Sequence, residues 1–249
     1  MPIPQADNPP LPDEISGEPA IEWYLLGPVD FASAHALQQR LVYDCDERGD
    51  GRITVLVCEH PLCASVGRAG SHGHVRLALR DLAARGVTLH WVNRGGGCLV
   101  HGPGQLAVYA IVPLSWHGWS VGGYLRRLQS GFQSVLAEFK VAAGSRPARY
   151  GLWGRSGQLV SIAAAVRHGI AWYGAYLNVS IPLWLLRTVQ SDPFGGTPPG
   201  NLLAERGRPV RMSSVREALI RGLTEALGVR RYHVYSDHPL LIRRRASRA

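Results

Sequence analysis

A glycine-rich stretch with an arginine and a histidine, RGGGCLVHGPGQ at residues 94–105, contains the residues best suited to chemistry. Its first three glycines can adopt positive φ and let a ligand approach the backbone closely, so their amides could donate to a carbonyl or an anion. Arg94 adds a permanent charge and His101 a titratable imidazole. The stretch contains neither GxGxxG nor GxxxxGKS/T, which excludes the common nucleotide-binding loops. We therefore expect a ligand pocket here; the alternative is a plain glycine-rich turn around a packed histidine.

The positions of the cysteines determine whether the chain could use a thiol nucleophile, because the thiolate is the reactive form of cysteine. The four cysteines all lie in the first hundred residues, at Cys45, Cys58, Cys63 and Cys98. We expect them to be reduced thiols that pack as small apolar groups. Cys98 could serve as a nucleophile only with a base or a cation beside it, such as His101, His60 or Arg94. A metal site that combines these cysteines and histidines matches no standard zinc spacing, so we expect no metal and no cofactor.

Composition and charge limit the class of protein. Of the 249 residues, 46% are hydrophobic and 18% are charged, which is typical of a folded globular chain. No apolar run reaches the roughly 18 residues of a membrane span, and the proline-rich N-terminus does not resemble a signal peptide, so we expect a cytoplasmic protein. The net charge of +9 suits an acidic partner. A bias toward arginine explains it equally well, since Lys140 is the only lysine.

Three helices are predicted to flank the strands that position the glycine-rich stretch. The first covers residues 30–46, with Asp30 as its cap, and the second is an amphipathic helix over residues 121–140. Ser214 and Glu217 fit a capping box for a third helix, which ends at Gly228.

Strands are predicted between these helices, and a loop rich in glycine and proline is predicted over residues 191–203. The strand candidates are residues 53–58, 87–92, 106–114, 151–153, 158–166 and 175–180. This order favours the α+β class, a mixed α/β sheet in a single domain. We expect residues 1–20 to be a flexible arm, 21–230 the folded domain and 231–249 a short C-terminal extension with a basic tail.

Several stretches together resemble the lipoate-biosynthesis octanoyltransferases, the LipB family. The glycine-rich stretch resembles the family's RGGxxTxHGPGQ segment, and the stretch around Glu59, His60 and Pro61 resembles its EHPxxxTxG segment. Residues 158–179 align without a gap to KIxSIGxxxxxxxxxHGxALNV. The resemblance covers residues 22–228 and implies the fold of biotin and lipoate protein ligases.

The resemblance implies a function in lipoate metabolism. Octanoyltransferases move an octanoyl group from acyl carrier protein to an enzyme cysteine, and then to a lysine of a lipoyl domain. The implied partners are therefore acyl carrier protein and the lipoyl domains of 2-oxoacid dehydrogenases or the glycine cleavage H protein. The implied substrate-binding residues are Arg94, Gly95, Gly96, Gly97, Cys98, Leu99, Val100, His101, Ser161, Ile162, Ala163, Gly174, Ala175 and Tyr176.

Both members of the family's catalytic pair are missing. Gln158 occupies the position of the lysine, and Phe194, or Asp192 if no gap is allowed, occupies that of the cysteine. Tyr176 replaces an alanine, and we expect its ring to intrude on the space that an acyl chain would use. Two functions remain open: octanoyl transfer with a substitute nucleophile such as Cys98, or non-catalytic binding of an acyl group or its carrier by a pseudoenzyme. An ATP-dependent ligase would require a lysine, and nucleic-acid binding is suggested by net charge alone.

Overall fold

The computed structural model describes residues 19–75, 86–191 and 198–242. Its strands are β1 (Ala20–Pro28), β2 (Ile53–Glu59), β3 (Cys63–Val66), β4 (Thr88–Trp91), β5 (Cys98–His101), β6 (Gln105–Pro113), β7 (Gly144–Arg146), β8 (Arg149–Trp153), β9 (Gln158–Arg167), β10 (Ile170–Asn178) and β11 (Arg231–Ser236). Its α-helices are α1 (Phe31–Arg48), α2 (Val121–Glu138), α3 (Leu183–Leu186), α4 (Leu202–Arg206) and α5 (Met212–Leu227).

Eight of these strands form one mixed sheet in the order β11-β1-β2-β6-β10-β9-β8-β7. β11, β1 and β2 run parallel to one another, and every neighbouring pair from β2 onward to β7 in this order is antiparallel. A small second sheet has the order β4-β3-β5. The structure is therefore the single-domain mixed α/β fold that the sequence predicts.

Helices cover both faces of the large sheet, because its central strands are apolar on both sides. All nine residues of β6 and all nine of β10 are buried, as is typical of strands covered on both faces. α2 and α5 pack together on one face, and α1 covers β6 and β10 on the other. The apolar stripes of α1 and α2 thus face the sheet.

The predicted helices are present, but the third begins differently from the prediction. Asp30 caps α1 by accepting a hydrogen bond from the Ser33 amide at 2.9 Å. α5 begins at Met212, after an N-cap at Arg211 that makes no side-chain capping bond. The capping box at Ser214 and Glu217 is therefore wrong. The helix ends, as predicted, at Gly228, which is left-handed.

Two predicted boundaries are also wrong. β10 begins at Ile170, five residues before the predicted start at Ala175. The predicted loop at residues 191–203 overlaps α4, which begins at Leu202 after the cap Asn201. In the sequence, Gly174 makes residues 170–174 resemble a turn. The strand nevertheless needs a glycine at this position, because a Cβ there would lie 2.3 Å from the carbonyl oxygen of Val108.

Candidate functional site

A cavity of about 550 Å³ lies where the glycine-rich stretch meets β9 and the start of α2. It exists because β8 pairs with β9 only as far as Ser161. The next three residues of β9, Ile162 to Ala164, pair with β10 on one side and line the cavity, without a β8 partner on the other side. Gly95 and Gly96 form the facing wall. The volume lies within the range of ordinary small-molecule sites.

Backbone hydrogen bonds hold the loop at residues 94–97 so that its carbonyls are occupied. Arg94 O accepts from Arg68 N at 3.0 Å, Gly96 O from Ala69 N at 3.1 Å, Gly97 O from Gly67 N at 3.1 Å, and Gly95 O from the Arg94 guanidinium at 2.9 Å. Gly96 has φ +78°, a conformation that favours glycine. Among the described residues, no hydrogen bond engages the amides of Gly96 and Gly97. The loop therefore offers donors and few free acceptors.

Arg94 is buried beneath this loop, with a relative exposure of 1%. Its Nη2 donates to the carbonyl of Ser65 at 3.1 Å and to the Ser65 hydroxyl at 2.8 Å. Burial lowers the pKa of the guanidinium from its ordinary value, but an arginine in a protein stays charged. Within the described residues no carboxylate forms an ion pair with Arg94. Its positive charge therefore adds to the donor character of the loop above it.

His101 belongs to a buried hydrogen-bond chain and does not line the cavity. Its Nδ1 donates to Gln105 Oε1 at 2.8 Å, which leaves Nε2 to accept from the Ser65 hydroxyl at 2.7 Å. The amide of Gln105 donates in turn to Asn178 Oδ1 at 2.9 Å. Burial lowers the pKa of His101 well below its ordinary value. The imidazole is therefore neutral and joins Arg94 to the end of β10.

The thiol of Cys98 is directed away from the cavity and toward the carbonyl of Ser71, 3.6 Å away. Its side chain is fully buried, and burial raises the pKa of the thiol. Burial likewise raises the pKa of Cys63 to about 12 and that of Cys45 to about 11, and raises that of Cys58 further. All four cysteines are buried, so none has the environment of a reactive thiolate.

Gln158 lines the cavity at the position where the resemblance places a lysine. Its side-chain amide donates weakly to the Val160 carbonyl at 3.4 Å, and the backbone carbonyl of Gln158 accepts from Gly200 N at 3.0 Å. Ser191 borders the same space. Asp192 and Phe194, the two candidates for the cysteine position, lie outside the described residues.

Tyr176 lies on the α1 side of the sheet, and it does not line the cavity. Its ring is 4.6 Å from that of His101 and its exposure is 1%. Gly97, in the loop, also does not line the cavity. Neither do the other residues of the predicted set that lie in the sheets: Leu99, Val100, Ser161, Gly174 and Ala175. Of that set, the cavity wall brings together Gly95, Gly96, Ile162 and Ala163.

Several lining residues were not predicted from the sequence. Arg68 ends the stretch that resembles the EHP segment, and Trp153 lies in the predicted strand at residues 151–153, so a predicted feature contained or adjoined each of them. Arg149 and Tyr150 begin the same strand, β8, two residues before its predicted start. Val121 and Leu125 come from the first turns of α2, and the apolar stripe of a helix does not tell which of its residues border a cavity.

The described residues contain neither a metal site nor a membrane span. No three of their histidine, cysteine, aspartate or glutamate side chains are placed to hold a metal ion, so the metal alternative has no support there. None of their helices combines the length and apolarity needed to cross a membrane.

Comparison with known proteins identifies the family. The model of the lipoyl protein ligase A/B catalytic domain matches residues 30–224. The chain belongs to this family. Among family members, the octanoyltransferase of Geotalea uraniireducens (strain Rf4) is 35% identical over 191 residues, which cover 77% of this chain and 86% of that one.

Solved lipoate protein ligases share the fold. Lipoate-protein ligase A bound with ATP superposes with a TM-score of 0.70 at 17% identity, covering 88% of this chain and 89% of that one. A bi-partite lipoate protein ligase, solved in a study that includes its E2 lipoyl domain from Thermoplasma acidophilum, gives a TM-score of 0.64 at 17% identity, with coverage of 88% and 87%. At this identity the likeness establishes the fold alone.

Proposed function

We propose that this member of the lipoyl protein ligase A/B family binds an octanoyl group in the cavity between the glycine-rich loop and β9, without covalent transfer. The observation that carries the proposal is the composition of the cavity wall. It is largely apolar, with Ile162, Leu125 and Trp153, and it contains Gln158 in place of the lysine that the resemblance implies. An amide cannot titrate, so it can neither lower the pKa of a thiol nor shuttle a proton.

The missing thiol supports the same conclusion. Covalent acyl transfer requires a thiolate that reaches the acyl carbonyl. No cysteine follows Cys98 in the sequence, and the thiol of Cys98 contacts the Ser71 carbonyl instead of the cavity. The chain thus keeps the walls of an acyl site but lacks both the nucleophile and the base.

The proposed partners are those of lipoate metabolism. Relatives of this chain are named octanoyltransferases, and one protein with the same fold was studied together with its E2 lipoyl domain. An acyl carrier protein loaded with an octanoyl group is the binding partner we propose. The net charge of +9 suits an acidic carrier of this kind.

Octanoyl transfer through a substitute nucleophile is the second candidate, favoured by the names of the relatives and by the place of Cys98 next to Gly97. It requires that Cys98 turn toward the cavity and ionise, against the burial that raises the pKa of its thiol. A covalent octanoyl adduct that forms in the wild type and is absent in Cys98→Ser, seen by intact-protein mass spectrometry, would establish this candidate.

Binding can be tested by calorimetric titration of the full-length protein with S-octanoyl-pantetheine and with octanoyl-loaded carrier protein, using unloaded carrier as a control. Ala163→Phe, which projects a ring from the cavity wall, is expected to weaken octanoyl binding at least tenfold. Val166→Phe is the matched control, because Val166 lies on the same strand, is 44% exposed and does not line the cavity. Binding that is equal in all three proteins, or absent from the wild type, contradicts the proposal.

A further inference from the structure

A second cavity, of about 330 Å³, lies toward the opposite edge of the large sheet, beside β11, β1 and the start of β2. Its described lining shares no residue with the cavity at the glycine-rich loop. Arg231, His233 and Tyr235 alternate along β11, so their side chains share one face of the sheet. Glu22 of β1 is the neighbour of His233 in the register and lines the same space. The volume is at the lower end of the range of small-molecule sites.

Trp116 forms an aromatic wall of this second cavity, and the backbone holds it in place. A Cβ at Gly51 would lie 2.3 Å from Cε3 of the indole, so a glycine at residue 51 makes room for the ring. The next residue, His117, donates from Nε2 to the Gly51 carbonyl at 2.9 Å and stacks on Trp119 with ring centroids 4.5 Å apart. The indole of Trp116 is nevertheless 42% exposed. A ring that is fixed in this way and still exposed offers a surface on which an aromatic ligand can stack.

The charges around the second cavity leave one cation without a partner. Glu22 Oε1 lies 3.1 Å from Nη1 of Arg52. Asp50 Oδ2 lies 3.5 Å from Nε of Arg48 and 3.5 Å from Nη2 of Arg52, so both carboxylates of the lining are paired with guanidinium groups. In the part of the chain that the structure describes, Arg231 forms no ion pair. Its charge therefore suits a ligand with a single negative charge, through a charge-assisted hydrogen bond.

We propose that the second cavity binds a planar aromatic carboxylate, with its ring against Trp116 and its carboxylate at Arg231. Tyr235, which is 42% exposed, adds a second aromatic surface at the same cavity. A neutral aromatic compound gains only the stacking, and an aliphatic acid gains only the charge. A ligand that carries both groups gains both. This site goes beyond the proposed function, because it uses neither the octanoyl cavity nor an acyl chain.

The experiment compares 2-naphthoate with 2-naphthamide, which lacks the charge, and with cyclohexanecarboxylate, which lacks the aromatic ring. Each is titrated calorimetrically into the full-length protein at low ionic strength, because salt screens exposed charges. 2-Naphthoate is expected to bind at least about tenfold more tightly than either of the other two. An excess of S-octanoyl-pantetheine should not weaken this binding, since the two cavities share no lining residue.

Two variants remove the two contacts separately. Arg231→Gln should reduce the preference over the amide to less than about threefold, whereas Arg230→Gln, at an adjacent exposed arginine outside the lining, should leave it unchanged. Trp116→Leu keeps an apolar side chain but removes the aromatic face, so the preference over cyclohexanecarboxylate should fall to less than about threefold. Trp184→Leu is its control, because Trp184 is 61% exposed and does not line the cavity.

Circular dichroism melts show whether each variant is folded, and Arg231→Gln, at an exposed position, keeps the test valid if Trp116→Leu unfolds. Three results overturn the inference: no binding of 2-naphthoate, displacement of 2-naphthoate by S-octanoyl-pantetheine, or a preference that survives in the folded variant designed to remove it. Each of them leaves the proposed function intact, because that function concerns the other cavity.

Discussion

The buried side chains beneath the glycine-rich loop are linked by hydrogen bonds that hold the loop in place. The guanidinium of Arg94, the hydroxyl of Ser65, the imidazole of His101 and the amide of Gln105 form one continuous buried chain of hydrogen bonds. Buried polar groups are costly unless each is satisfied. Histidine and arginine in this stretch therefore act as supports of the loop, and the cavity is left to glycine backbone and to residues of β9 and α2.

A second buried histidine makes stability depend on pH. His60 donates from Nδ1 to the Val29 carbonyl at 2.7 Å and accepts at Nε2 from the Tyr109 hydroxyl at 2.7 Å. Burial lowers the pKa of His60 to about 4, and burial also lowers that of His101. An unfolded histidine has a pKa of about 6.5. Below this pH the unfolded chain takes up protons that the folded chain refuses, so stability falls as pH falls.

We expect the free energy of unfolding to fall between pH 7 and pH 5.5, approaching a slope of about 1.4 kcal/mol per pH unit for each of these histidines well below pH 6.5. Urea unfolding at a series of pH values measures it. His60→Asn should be less stable at pH 7 but should show a shallower pH dependence, whereas His72→Asn, at an exposed position, should keep the wild-type slope. An unchanged slope in His60→Asn would show that this histidine is not the source.

At the scale of elements, Gly104 directly precedes the first residue of β6 and links three parts of the chain by hydrogen bonds. The Gly104 amide donates to Glu59 Oε2 at 3.0 Å, and the other oxygen of Glu59 pairs with Arg216 of α5 at 3.1 Å. The carbonyl of Gly104 accepts from the amides of residues 179–181, just after β10. The HGPG turn thus connects β2, α5 and the end of β10.

Close packing of β10 against β6 makes Gly174→Ala a severe change. The new methyl group would lie 2.3 Å from the Val108 carbonyl oxygen, so the two strands must separate. We expect a loss of more than about 2 kcal/mol of unfolding free energy, as for other overpacked cores. Gly144→Ala in β7 is the control, since nothing lies within 4 Å of its Cβ, and it should change stability by less than about 0.5 kcal/mol. Chemical denaturation of both variants measures these changes. Similar losses of unfolding free energy in the two variants would contradict the close packing of β10 against β6.

How far the sequence predicts these elements depends on burial. The apolar runs of β2 and β6 and the stripes of α1 and α2 could be predicted, because buried faces leave a hydrophobic pattern. All six residues of β11 are exposed, so its sequence shows no such hydrophobic pattern. β3 and β5, with four residues each, are too short for a periodic signal.

For a related reason, only part of the candidate site could be predicted from the sequence. Gly95 and Gly96 could be found because their loop carries a specific motif. Arg149, Leu125 and Val121 enter the cavity through tertiary contacts that no local pattern encodes. Tyr176 lies against His101 on the α1 side of the sheet and does not line this cavity. That its ring intrudes on the space of an acyl chain stays a prediction.

At the scale of the whole molecule, the fold of a lipoyl protein ligase A/B catalytic domain is present, and the large sheet, α2 and the glycine-rich loop together border the cavity of about 550 Å³. We propose that this chain does not supply the residues for covalent transfer, since Gln158 stands where the resemblance implies a lysine and no cysteine follows Cys98 in the sequence. A fold can persist while its chemistry changes, because the core and the reactive groups depend on different residues.

The central claim is that this cavity holds an acyl group without transferring it. The direct measurement mixes the protein with octanoyl-loaded acyl carrier protein and a lipoyl domain, and follows all three by intact-protein mass spectrometry over time. We predict no octanoyl adduct on this chain, and octanoylation of the lipoyl domain no faster than in its absence. An octanoylated lipoyl domain that forms only when this chain is present would contradict the account.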